Sequence, residues 1–145
     1  MEATQTGAER IHWSLQDLHE KSASLETSLK DADRRSQQFA DTYRGRIDDL
    51  DAEELAEALV ELEDIQDDLG RAYAYAYLAW STNTNDEKHG AQLQKVKEAY
   101  NRARQKLLFI EVEWANVDDE RARMLLESDA LEPYRHYLEL EQENK

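Results

Sequence analysis

An all-α bundle is the fold class this sequence predicts, and three observations predict it. Glycine and proline are scarce, four and one in 145 residues, which disfavours a turn-rich β architecture. Apolar residues recur at steps of three and four along two long stretches of the chain. The first of those stretches opens on Asp51 with Glu54 three residues later, a pairing that marks a helix start. The expected architecture is an antiparallel bundle built on two long helices, about 51–81 and 86–117. An N-terminal helix and short C-terminal helices complete it, and residues 1–145 read as a single helical domain. Hydrophobic content of 40%, with three Trp and seven Tyr, is enough for a core despite 35% charged residues. A domain of this length buries about 68–70% of its unfolded surface.

Taken in order, Met1 to Gly7 read as a loose end. Trp13, Leu15 and Leu18 form a short apolar cluster, with Ser14 and Asp17 as a capping pair. The N-terminal helix then carries Leu25, Leu29, Ala32, Phe39 and Tyr43 on one face, and Gly45 is its expected terminator through a left-handed conformation. In the next helix the Asp51–Glu54 box lies between Leu50 and Leu55, the positions of a hydrophobic staple. Its apolar stripe runs Leu55, Leu59, Leu62, Ile65, Leu69, Ala72, Ala76 and Trp80. Tyr73, Tyr75 and Tyr77 alternate with alanines at a strand-like period of two. Alanine favours helix and the helical stripe continues unbroken, so a helix is predicted there. Gly70 costs that helix about 1 kcal/mol relative to Ala and is read as a place for close helix contact or a bend.

Ser81 to Asn85 form a polar turn, with Thr84 and Glu87 as a second capping box. The next stripe is Leu93, Val96, Tyr100, Ala103, Leu107, Ile110, Trp114 and Val117, a narrow seam suited to shallow packing against a neighbour. A short connection should lay the two long helices side by side, antiparallel. Asp118 and Asp119 break the second one and start a short helix with Met124, Leu125 and Leu126. Pro133 suits the first turn of a last helix, and a fraying tail is expected after Leu140.

Charge and composition restrict the function. Eighteen basic against 33 acidic residues give a net charge of −15, a field that repels nucleic acid and anionic lipid. Neither nucleic acid nor membrane is therefore an expected partner. The chain has no cysteine, which removes thiolate and disulfide chemistry. No basic leader followed by an apolar run opens it and no stretch is long enough to span a bilayer, so a cytoplasmic protein is expected.

Motifs for chemistry are incomplete. A helical zinc hydrolase site needs two His four residues apart with a Glu beside the first. His19 and Glu20 begin that pattern, but Ala23 stands where the second His belongs. His12, His89 and His136 are isolated in sequence. A di-metal bundle needs two Glu-x-x-His pairs and two further Glu, and Glu9 with His12 is the single match. The pairs Asp48-Asp49, Asp67-Asp68 and Asp118-Asp119 are adjacent residues, which do not face one another on a helix. No catalytic and no metal-binding residue is assigned, and substrate-binding residues are unknown. Among the aromatics, Tyr75, Tyr134 and Tyr137 are the candidates for contact with another domain or partner, because tyrosine joins an apolar body to a polar tip.

Several pieces carry a family resemblance. They are Trp13-Ser14-Leu15-Gln16-Asp17-Leu18, Phe39 with Tyr43-Arg44-Gly45-Arg46, and Tyr75-Ala76-Tyr77-Leu78 with Ser81-Thr82-Asn83-Thr84. Leu108-Phe109-Ile110-Glu111-Val112-Glu113-Trp114 follows, and Leu131 with Tyr134-Arg135-His136-Tyr137-Leu138 is last. Their order resembles the N-terminal helical region of oligoendopeptidase F, in the thimet-type (M3) zinc metallopeptidases. The resemblance implies a non-catalytic domain forming part of the wall of a channel that admits short peptides. Members of that family carry His-Glu-x-x-His and a later Glu ligand far downstream, and no position of this chain matches either motif. The resemblance thus implies zinc in a separate catalytic domain that is the partner of this one, with oligopeptides bound only by the full-length protein. The alternative is a stand-alone acidic helical-bundle interaction module without enzymatic activity.

Overall fold

The computed structural model describes the backbone of residues 15–143 and the side chains of residues 24–143. The expected Trp13 cluster, the Ser14–Asp17 cap and the His12 and His19 patterns involve side chains outside the described residues. Six α-helices are described: α1 Leu15–Tyr43, α2 Ala52–Thr82, α3 Glu87–Leu107, α4 Phe109–Ala115, α5 Asp119–Leu126 and α6 Arg135–Glu143. Short 3-10 segments, Ile47–Asp49 and Asp129–Tyr134, join α1 to α2 and α5 to α6. Among the described residues there is no strand, so the chain is an all-α bundle.

Three long helices make the frame, the two expected from the apolar stripes and the N-terminal one. At 29 residues α1 nearly matches the 31 of α2, about 45 Å of rod each. Helices α1, α2 and α3 pack pairwise, running up, down and up. Helices α4 to α6 fold back over the end where α1 finishes and α2 starts. The larger core lies at that end, with Phe39, Ile47, Leu55, Ile65, Trp114, Leu131 and Leu138 buried together. The opposite end has a thinner core of Leu25, Ala72, Ala76, Leu93 and Val96, where alanines let the helices approach closely.

Local signals set the boundaries. Gly45 takes φ +80° and closes α1, as its lack of a Cβ permits. The Asp51 carboxylate accepts from the Glu54 amide at 2.8 Å, and Glu54 accepts from the Asp51 amide at 3.1 Å. Leu50 and Leu55 are both buried beside that box, as a staple requires. The second expected box does not form. Helix α3 starts two residues later than Thr84 would set it, with Asp86 accepting from the Lys88 amide at 2.8 Å. Asn83 satisfies the turn instead, through the Asn85 amide.

The expected single helix over 86–117 is interrupted at Leu108, between α3 and α4. The break falls where the rod changes neighbours. Helix α3 packs between α1 and α2, whereas α4 packs on the Ile47–Asp49 turn and α6. Phe109 turns onto Phe39 of α1, their rings 5.7 Å apart. Pro133 lies in the 3-10 segment rather than in α6, and α6 continues past Leu140 to Glu143. Gly70 marks no close approach, since a Cβ there would meet nothing within 4 Å.

Candidate functional site

At the capped end, side chains from α4 to α6 tie down backbone groups that the connections leave free. The Glu113 carboxylate accepts from the Gly45 amide at 2.7 Å and the Ile47 amide at 3.3 Å. Trp114, 1% exposed, donates its indole N–H to the Leu138 carbonyl at 2.8 Å. Gln142 returns a bond to the Trp114 carbonyl at 2.6 Å. Arg121 donates to the carbonyls of Asp48 and Leu50, and Arg135 to that of Leu126. These contacts end helices and fix turns, so this joint is structural.

The three tyrosines expected at a contact surface do not come together. Tyr134 and Tyr137 pack on the larger core, and Tyr75 on the smaller one at the other end. The Tyr134 hydroxyl reaches Glu63 at 3.4 Å, and burial together with that carboxylate raises its pKa. Burial, reinforced by Glu111 and Glu141, pushes Tyr137 up to about 12. Glu141 is itself raised by burial and by the neighbouring Glu111.

The exposed aromatics are others. Tyr73, Tyr77 and Tyr100 are 37%, 48% and 39% exposed, and Tyr73 stacks on Tyr77 with centroids 6.4 Å apart. Tyr73 and Tyr100 face each other across an open groove between α2 and α3, on the side away from α1, with Gly70, Lys97 and Asn101 beside them. A second hollow adjoins it through Tyr100 and continues past Arg104 and Leu108 to Glu111. Sequence reasoning gave Tyr100 to the core seam because it lies four residues after Val96. In the structure Ala99 fills that place, 4% exposed, and turns Tyr100 outward. For Tyr73 and Tyr77 the sequence carries a signal, since each follows by one position an alanine of the predicted stripe, Ala72 or Ala76, and is offset from it by about 100°.

Among the described residues no three His, Cys, Asp or Glu side chains stand close enough together to hold a metal ion. His89 sits beside Asp86 at 3.7 Å on the first turn of α3, and His136 is exposed on α6. The densest charge cluster is structural. Arg35 of α1 meets Glu61, Asp64 and Asp68 of α2 at 2.7–3.1 Å. Burial works against its charge, but the bonds to Asp64 and Glu61 hold its pKa up. No helix among the described residues is long and apolar enough to cross a membrane. Family models, curated proteins and solved structures give no match to this chain.

Proposed function

We propose that this chain is the non-catalytic N-terminal helical domain of a thimet-type zinc oligoendopeptidase, forming part of the wall of the channel that admits short peptides. The observation that supports this reading is where the resembling pieces meet. Gly45, of the Tyr43-Arg44-Gly45-Arg46 piece, is held by Glu113 of the Leu108-to-Trp114 piece. Trp114, in turn, bonds Leu138 of the last piece. Segments far apart in sequence thus interlock at one joint, which gives their joint occurrence a physical reason.

On this reading zinc and its His-Glu-x-x-His ligands come from a catalytic domain outside the chain, which is also its partner. Oligopeptides would be bound by the full-length protein alone, and the protein would be cytoplasmic. The test is to follow the reading frame past Lys145 and assay what it encodes. A frame that reaches His-Glu-x-x-His and yields zinc-dependent cleavage of a fluorogenic peptide upholds the proposal. A stop codon directly after Lys145, or turnover of that peptide by this chain alone, overturns it. The exposed tyrosine groove favours a second reading, an acidic helical interaction module without enzymatic activity.

A further inference from the structure

We propose that the open groove between α2 and α3 binds an acidic amphipathic helix supplied by another polypeptide. The inference rests on the groove alone and stands apart from the peptidase reading. The α2–α3 pair has two grooves, and one already holds a helix, α1. There α1 lays Leu25, Leu29 and Ala32 against the pair. It also sends two carboxylates seven residues apart to cations of α3: Glu26 to Lys95 at 3.2 Å and Asp33 to Lys106 at 2.8 Å.

The open groove also pairs aromatic surface with two cations of α3, here seven residues apart rather than the eleven that separate Lys95 from Lys106, and among the described residues no helix fills it. Tyr73 and Tyr100 offer part-exposed apolar faces, and Gly70 leaves space where a side chain would stand. Lys97 of α3, three residues before Tyr100, lines the groove, and Arg104, four after, lines the hollow that adjoins it through Tyr100, together with Glu111 of α4. Both cations are exposed, and neither makes an ion pair among the described residues. They lie two turns apart, about 10 Å, the spacing of two carboxylates at i and i+7 on an incoming helix.

Charge elsewhere argues the same way. Helix α2 carries eight carboxylates and one cation, yet Leu62, Gln66, Gly70 and Tyr73, the residues it turns to this groove, include no carboxylate. In a chain of net charge −15 this strip sets two cations and aromatic surface side by side against one lining carboxylate, Glu111, which is what an acidic segment would meet.

The experiment is fluorescence anisotropy of a labelled, designed helical peptide titrated with the chain. The peptide carries leucines at i, i+3 and i+7 on one edge and glutamates seven residues apart beside them. Saturable binding is expected, at least tenfold weaker for a counterpart with glutamine in place of glutamate. The Lys97→Glu/Arg104→Glu variant should lose at least tenfold, and the Tyr73→Ser/Tyr100→Ser variant more. Lys97→Arg/Arg104→Lys, which keeps charge and surface, should retain binding, and circular dichroism establishes equal helicity across the set. Absence of saturation overturns the proposal, as does equal affinity for the charge-reversed variant. So does sedimentation showing that the chain alone dimerises through Tyr73 and Tyr100, which would make a second copy the occupant.

Discussion

Trp114 concentrates more of the fold than any other single side chain described. It is the largest fully buried residue, and its indole N–H is the partner of the Leu138 carbonyl that anchors α6. Trp114→Ala should therefore cost roughly 3–5 kcal/mol in chemical denaturation, the range for emptying a large aromatic site. Trp114→Phe keeps most of the apolar contact and loses the indole bond, while the Leu138 carbonyl keeps its helical partner within α6, so the cost should fall to about 0.5–1.5 kcal/mol. A cost near zero for Trp114→Ala would place the indole outside the core. Tyr137 tests the same region through pH. An unfolded tyrosine ionises near 10, whereas burial beside Glu111 and Glu141 raises the folded value to about 12. Between those values the unfolded chain has lost a proton that the folded chain keeps, so alkali favours unfolding. The contribution is intact below about pH 10 and lost as pH rises through about 12. Denaturation midpoints should then fall more steeply over this range for the parent chain than for Tyr137→Phe. Equal slopes would show that Tyr137 titrates as if exposed.

Most elements were legible in the sequence where their determinants are local, the Thr84–Glu87 box that Asp86 displaces being the exception, and illegible where they come from a neighbour. The Asp51–Glu54 box and the Gly45 terminator each depend on residues within one turn, and both form as the sequence predicts. The interruption at Leu108 depends on which partners α3 and α4 meet, and no spacing rule carries that. Tyr100 failed for a related reason: Val96 allows a next core position at 99 or at 100, and only the tertiary arrangement selects Ala99. The contact surface was legible as a residue type, tyrosine, but not as a position. Two glycines separate the cases by experiment. Gly45→Ala should destabilise by about 1 kcal/mol, because φ +80° strains any Cβ-bearing residue. Gly70→Ala should stabilise by about 0.5–1 kcal/mol, since the added methyl meets nothing within 4 Å and the helix interior favours alanine. Thermal unfolding of the two variants should therefore move in opposite directions. A fall for Gly70→Ala would mean that the glycine accommodates a contact or bend after all.

For the whole molecule the governing quantity is 33 acids against 18 bases. Two electrostatic effects oppose each other when salt is added. Screening weakens the attraction of Arg35 for Glu61, Asp64 and Asp68, and of Lys95 and Lys106 for α1. It also weakens the mutual repulsion of carboxylates in a compact body of net charge −15. Magnitudes decide between them. Exposed pairs such as Lys95 with Glu26 contribute about 0.2–1 kcal/mol each, and the described pairs are few. The surplus carboxylates all repel one another over the Debye length, about 30 Å at 0.01 M salt and about 10 Å at 0.1 M. Helix α2 feels this most, since its eight carboxylates have one cation on the same helix, Arg71, and only three of them reach Arg35 of α1. The melting temperature should accordingly rise by several degrees between 0.01 and 0.3 M sodium chloride, with most of the gain below about 0.1 M, where the screening length changes fastest. Arg35→Gln should enlarge the rise, because it removes the principal attraction that salt would otherwise weaken. A melting temperature that falls with salt would mean that the ion pairs between α1 and the other two long helices outweigh the repulsion, and that the acidic surface is held together rather than held apart.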